Sequence, residues 1–175
     1  MAKKINVKTK SKTLKPSNRL FLVVADDSKE LHQALYYAAR RAATAGGEIA
    51  LFRCIEPIEG QLWGGVTEIM ESEAEQSSKK LLSELSEYCE KLGAPKPRTF
   101  VRKGIAHEEL FNLIDKEEAI RVLVLGVSTE HGNPGPLINY IINKGSNQCR
   151  VPITIVPGNL TCLLYTSPSP RDIGE

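Results

Sequence analysis

No stretch of the 175-residue chain reaches the ~20 consecutive apolar residues that a membrane-crossing helix needs, so no membrane span is expected. The four cysteines, Cys54, Cys89, Cys149 and Cys162, form no Cys-x-x-Cys pair and have no histidine close by in sequence. That argues against a zinc site and against a dithiol redox motif. Reduced thiols in a cytoplasmic protein are the expectation. No internal repeat is present. The first 19 residues contain no acid at all, yet hold Lys3, Lys4, Lys8, Lys10, Lys12, Lys15 and Arg19. They also lack an apolar core of the kind a secretory signal carries, so a signal peptide is not expected.

What is present is ordinary for a globular domain: 41% hydrophobic and 25% charged residues. The length suits one domain with a sizeable core. The formal charge of +2 conceals a division. Taking the seven basic residues of the start from the total of 23 leaves 16 against 21 acidic ones, net −5 for the rest. A basic tail on an acidic body is of a kind that touches nucleic acid or an anionic membrane. A solvated, disordered lead-in over residues 1–19 is the simpler reading, and nucleic acid is not the expected partner.

Apolar runs and helical periodicity then alternate along the chain. Leu20 to Ala25 is a short continuous apolar run, as expected of a strand buried on both faces. Asp27 with Glu30 has the spacing of a capping box. The helix after it sets Leu31, Ala34, Leu35, Ala38 and Ala42 on one face, and Gly46-Gly47 stops it. Ile49 to Ile55 reads as a second strand. An irregular stretch follows, whose Leu62 and Trp63 read as packed over the sheet edge or else exposed for a partner. Then comes a long helix from about Thr67 to Leu92 with Ala74, Leu81, Leu85, Tyr88 and Leu92 inward. Gly93 and Pro95 end it.

The acids at the start of that helix, Glu68, Glu71, Glu73 and Glu75, suit its dipole. Thr99 to Val101, a helix from Ile105 to about Lys116, Val122 to Leu125, a helix from Pro136 to Lys144, and Ile153 to Val156 complete the order. Strands this apolar, alternating with helices, predict a single doubly wound α/β domain with a five-stranded parallel sheet and helices on both faces. Ligands of such sheets sit outside the carboxyl ends of the strands. Here that points to Asp26, Arg53 and Gly126.

Several segments carry a family likeness. Phe21-Leu-Val-Val-Ala-Asp-Asp-Ser28 with its alanine-rich helix, and Leu51-Phe-Arg-Cys-Ile-Glu-Pro57, resemble the first two strand units of universal stress proteins. Val101-Arg-Lys-Gly104, Val122-Leu-Val-Leu-Gly126 and Val151-Pro-Ile-Thr-Ile-Val-Pro157 resemble the later ones. The ordered set spans Arg19 to Thr161 and sets the domain at residues 20–161. Residues 162–175 begin Cys-Leu-Leu-Tyr-Thr-Ser-Pro-Ser-Pro-Arg-Asp, which resembles translated sequencing-adapter DNA. They are set aside from fold reasoning as a disordered artefact.

The resemblance implies an adenine-nucleotide-hydrolase-like sheet, commonly paired into a homodimer through the last strand. It also implies one of two branches, one binding ATP and one not. ATP-binding members carry Gly-x2-Gly-x9-Gly followed by Ser or Thr after the fourth strand. Gly132, Gly135 and Gly145-Ser146 match that spacing. Their position disagrees, because the family's first glycine follows the strand directly, where Gly126 stands, and Thr129 occupies the next glycine's place. Gly145-Ser146 also falls where the last helix should end rather than begin. A second alignment sets Gly135-Pro136 at the helix start, and proline there donates no N–H.

Asp26 matches the family's acidic residue near the nucleotide, a candidate for a ribose hydroxyl or, through water, magnesium; turn chemistry is its other reading. Arg53 is a candidate cation for the crevice or a surface charge, and Ser128 and Thr129 are candidate phosphate donors or plain loop hydroxyls. His32 and His107 read as solvated, and His131 is the histidine expected nearest the crevice. No motif places a nucleophile beside any of them.

No Walker lysine follows a glycine-rich turn, so slow turnover of ATP is the most that is expected. The leading expectation is a non-enzymatic, cytoplasmic, homodimeric stress-response domain with an adenine-nucleotide pocket, taking ATP with magnesium. The alternatives are a protein-interaction module of the non-ATP branch, engaging partners through Trp63, the long helix or the basic tail, and a weak nucleotide hydrolase.

Overall fold

The structure, a computed structural model, describes residues 19–57, 65–129, 134–145 and 147–160. The expectations for the basic tail, Leu62, Trp63, His131, Gly132, Ser146 and residues 162–175 lie outside them. Among the described residues five strands and four helices alternate: β1 (Leu20–Val24), α1 (Leu31–Ala45), β2 (Glu48–Ile55), α2 (Val66–Lys91), β3 (Arg98–Lys103), α3 (Ala106–Lys116), β4 (Ile120–Val127), α4 (Pro136–Tyr140) and β5 (Ile153–Pro157). The turn after α4, Ile141–Gly145, widens to π geometry.

All strand pairings are parallel, in the order β3-β2-β1-β4-β5. The chain winds outward from β1 to β3, then returns to add β4 and β5 on the other side. That is the doubly wound arrangement expected from the alternating pattern.

The sheet separates two cores, and the two-residue period of a strand decides which residue enters which. Phe21 and Val23 face α1 and α2, packing with Leu31, Leu35, Leu82, Leu85 and Cys89. Leu20 and Leu22 face α3 and α4, packing with Leu110, Ile114, Ile138 and Ile141. Each fully buried Leu or Ile contributes about 2 kcal/mol against exposure. The central strand β1 is therefore apolar at every position, as its sequence suggested.

Three local expectations are corrected. Asp27 and Glu30 form no capping box: α1 begins at Leu31, Glu30 is its N-cap residue, and no side-chain cap bond forms there. Asp27 is drawn to Arg53 instead.

The buried face of α2 is Ser78, Leu82, Leu85, Ser86 and Cys89, whereas Leu81, Tyr88 and Leu92 are only partly buried. Serine is tolerated there because Ser86 Oγ donates to the Leu82 carbonyl at 2.7 Å, which satisfies the hydroxyl within the helix. Finally, His107 is half-buried rather than solvated, its ring stacked on Tyr140 at 3.7 Å between centroids.

Helix ends close as the glycines predicted. Gly93, at φ +78°, lets its own N–H reach the Glu90 carbonyl and that of Ala94 reach Cys89, the double closure of a Schellman motif. The end of α3 is held differently: the Arg150 guanidinium donates to the carbonyls of Ile114 and Glu117. A cation on the last carbonyls of a helix also complements its dipole.

Candidate functional site

In a sheet of order β3-β2-β1-β4-β5, the direction in which strands are added reverses between β1 and β4, so the connections leave on opposite faces and open a crevice there. A cleft of about 660 Å³ occupies that place. It is lined by the ends of β1 (Val24 to Asp27), β2 (Phe52 to Glu56) and β4 (Leu125, Gly126), by Ala74, Ser77 and Ser78 of α2, by Ala106, and by Pro134 to Ile138. A larger hollow of about 860 Å³, at the N-terminal ends of the strands beside Arg19, Glu117 and Arg121, lacks such a convergence of strand ends and helix starts.

The β1 exit is shaped by side-chain hydrogen bonds. Asp26 Oδ1 accepts from the Ser28 N–H at 3.1 Å and from Ser28 Oγ at 2.5 Å, an Asx turn that bends the chain toward α1. Of the two readings of Asp26, the turn is thus visible in the structure; its carboxylate remains on the cleft wall. Arg53 leaves β2 and reaches across. Its Nη1 donates to the Ala25 carbonyl at 3.0 Å, its Nη2 to Asp27 Oδ2 at 2.9 Å, and its Nε to Ser78 Oγ at 3.4 Å. One guanidinium thereby ties β1, β2 and α2 together. Its side chain is 16% exposed while that of Asp27 is 78% exposed. Arg53 is therefore no loose surface charge: it lines the cleft with its guanidinium engaged by Ala25, Asp27 and Ser78.

On the β4 side the walls are made by close approach. A Cβ on Gly126 would stand 2.9 Å from the Glu30 carbonyl oxygen, so glycine is required for the start of α1 to seat against β4. Gly135 has φ +96°, a region that disfavours L side chains, and carries the chain into Pro136 at the head of α4. Gly145 lies at the far end of that helical run, against Phe111 and Tyr140, and does not line the cleft. Ser128 and Thr129 follow β4 and are also outside the lining. The structure therefore brings Asp26, Arg53, Gly126 and Gly135 together and leaves Gly145, Ser128 and Thr129 apart from them.

Three lining residues escaped the sequence reading. Cys54 donates to the Gly104 carbonyl at 3.3 Å. Burial raises its thiol pKa above the usual range, and the charges of Glu56 and Glu109 raise it further against the weaker opposing pull of Arg53. Ser77 and Ser78, with Ala74, stand three and four residues apart on α2. A run of small residues at that spacing is the signal that would have marked a helix face beside open space.

Just outside the cleft, Lys103 of β3 pairs with Glu71 and Glu75 of α2. Among the described residues no group of three or more His, Cys, Asp or Glu side chains is arranged to hold a metal ion. No described helix is long and apolar enough to cross a membrane.

Residues 18–157 match the model of the universal stress protein family. Among solved structures, universal stress protein UspA from Lactobacillus plantarum superposes with a TM-score of 0.68 at 14% identity, covering 79% of this chain and 97% of that one. A universal stress protein in complex with cAMP gives 0.60 at 17% identity, covering 80% and 97%. The universal stress protein from Archaeoglobus fulgidus in complex with dAMP gives 0.58 at 16%, covering 81% and 99%. No curated protein matches the sequence.

Proposed function

The chain belongs to the universal stress protein family, and from that premise we propose that it binds an adenine nucleotide in the cleft between β1 and β4, without rapid turnover. The observation that carries this reading is the cleft itself. It lies at the switch point of the sheet, and about 660 Å³ falls within the range of small-molecule sites. Its walls suit a flat ring system: Val24, Phe52, Ile55, Leu125 and Leu137 supply apolar surface. The Asp26 carboxylate at its rim suits the hydroxyls of a ribose. Two structural relatives solved with cAMP and with dAMP support the same ligand class.

Calorimetric titration with AMP, and with ATP in the presence and absence of magnesium, tests the proposal. Saturable binding is expected, with phosphate release from ATP no faster than the uncatalysed background. Absence of heat with every nucleotide, together with no nucleotide recovered from the denatured protein, refutes it. Brisk phosphate release would instead favour the hydrolase alternative.

A second reading concerns assembly. β5 is an edge strand, paired to β4 alone among the described strands, and its Ile155 is 42% exposed. An unprotected apolar edge invites pairing, which supports a homodimer formed through β5. Light scattering over a concentration series should show a dimer that Ile155→Lys dissociates. A wild-type chain that stays monomeric throughout would rule this out.

A further inference from the structure

We propose that this cleft selects its ligand by charge, favouring an adenine nucleoside monophosphate over the metal-free triphosphate; the inference rests on the nucleotide reading above. Four charged side chains line the described walls: Asp26, Asp27 and Glu56 on one sign, Arg53 on the other. The single cation is already engaged. Its three nitrogens point to the Ala25 carbonyl, the Asp27 carboxylate and the Ser78 hydroxyl. Asp27 is therefore neutralised, whereas Asp26 and Glu56 have no ion-pair partner among the described residues. What remains in the walls is a net negative field.

Two further observations agree with that sign. Cys54 sits inside the cleft next to Arg53, yet Glu56 and Glu109 outweigh the arginine in their effect on its thiol. Among the described residues, the β4–α4 side of the lining, Leu125, Gly126 and Pro134 to Ile138, carries no charged side chain to compensate. Pro136, the first residue of α4, has no N–H to offer an oxyanion. A triphosphate would bring its several negative charges beside two unpaired carboxylates at the exposed rim of the cleft, where repulsion is partly screened and therefore sensitive to salt. A monophosphate brings far less charge, and the apolar walls that hold the base are the same for both.

The test compares AMP and ATP titrated into the full chain, with magnesium chelated. AMP should bind at least about tenfold more tightly, equivalent to ~1.4 kcal/mol. Added magnesium should narrow the gap by neutralising part of the triphosphate. Raising the salt concentration should narrow it too, because the repulsion is electrostatic. Glu56→Gln should close it several-fold, since it removes one of the two unpaired carboxylates and leaves the apolar walls in place. Metal-free ATP binding as tightly as AMP overturns charge selection while leaving nucleotide binding intact. A gap that ignores salt, magnesium and Glu56→Gln also overturns it, since exclusion would then be steric. If neither nucleotide binds, the nucleotide reading falls first and charge selection falls with it.

Discussion

The two sides of the cleft are built on different principles. On the β1–β2 side polar side chains make the shape: the Asp26–Ser28 turn and the three-way reach of Arg53. On the β4–α4 side glycine makes it, with Gly126 allowing contact and Gly135 supplying a backbone angle. The first side commits its charges to the fold, which leaves few of them for a ligand. The second holds no charge in its described lining and contributes surface and space. Binding energy in such a cleft should come mainly from shape and apolar contact, with the carboxylates acting as a filter.

The largest expected effect breaks the glycine side. Gly126→Ala places a methyl group 2.9 Å from the Glu30 carbonyl oxygen, backbone that cannot swing away. A loss of about 2 kcal/mol in urea denaturation is expected from such overpacking. Gly135→Ala is the control on the same side. Its Cβ would meet nothing within 4 Å, so only the φ of +96° opposes it, costing about 1 kcal/mol. Equal losses at the two positions would mean that close approach is not what makes Gly126 necessary.

The next effect breaks the polar side. Arg53→Met keeps the aliphatic reach but leaves the Ala25 carbonyl and the Asp27 carboxylate without their donor. A loss of about 1.5–2 kcal/mol is expected for a charged hydrogen-bonding group this little exposed. Asp27→Asn should cost under about 1 kcal/mol, because that partner is 78% exposed and solvent replaces much of the pair. Thermal and urea melts of the two variants decide. If Asp27→Asn proves as damaging as Arg53→Met, the ion pair matters more than the bonds to Ala25 and Ser78, and the account of Arg53 as a three-element tie is wrong.

How much of this was readable beforehand follows from the range of each interaction. The strands were legible because a sheet covered on both faces demands continuous apolar runs, and Leu20 to Ala25 or Val122 to Leu125 have no other ready explanation. Gly46 and Gly93 were legible as stops because the left-handed closure is local. The place of the cleft followed from topology alone. Its wiring did not, because Arg53 meets partners 25 to 28 residues away that only the assembled sheet brings near.

The same long-range pull took Asp27 from the capping box that its local spacing favoured. The inward face of α2 was misread for a local reason: Ser86 returns its hydroxyl to Leu82, and a buried cysteine behaves as a small hydrophobe. Burial pushes the Cys89 thiol up to about 11, consistent with that packing role. The spacing match of Gly132, Gly135 and Gly145 illustrates the opposite hazard. Gly145 fits the pattern in sequence, yet its lack of a side chain makes room for Phe111.

The smallest expected effect lies at the outer rim, where Lys103 of β3 meets Glu75 and Glu71 of α2 and closes the polar side from the sheet edge. The hydrogen bond from Lys103, and then its charge, hold the Glu75 carboxyl below its usual 4.5. The same bond raises Lys103 above 10.5. A depressed carboxyl adds stability above its unfolded pKa and loses it as pH falls through the folded one; a raised amine adds stability below its unfolded pKa and loses it as pH rises through the folded one. The contribution of the pair should thus be flat between those limits and fade below pH 4.5 and above pH 10.5.

Both side chains are solvent-exposed, so the contribution is small at any pH. Comparing Glu75→Gln with the parent chain by urea denaturation across this range should give curves separated modestly near neutrality. They should converge in acid as the parent carboxyl takes up its proton. A separation that persists unchanged well below pH 4.5 would show that Glu75 acts through packing on α2, leaving the polar side of the cleft to be held by Arg53 and the Asp26 turn alone.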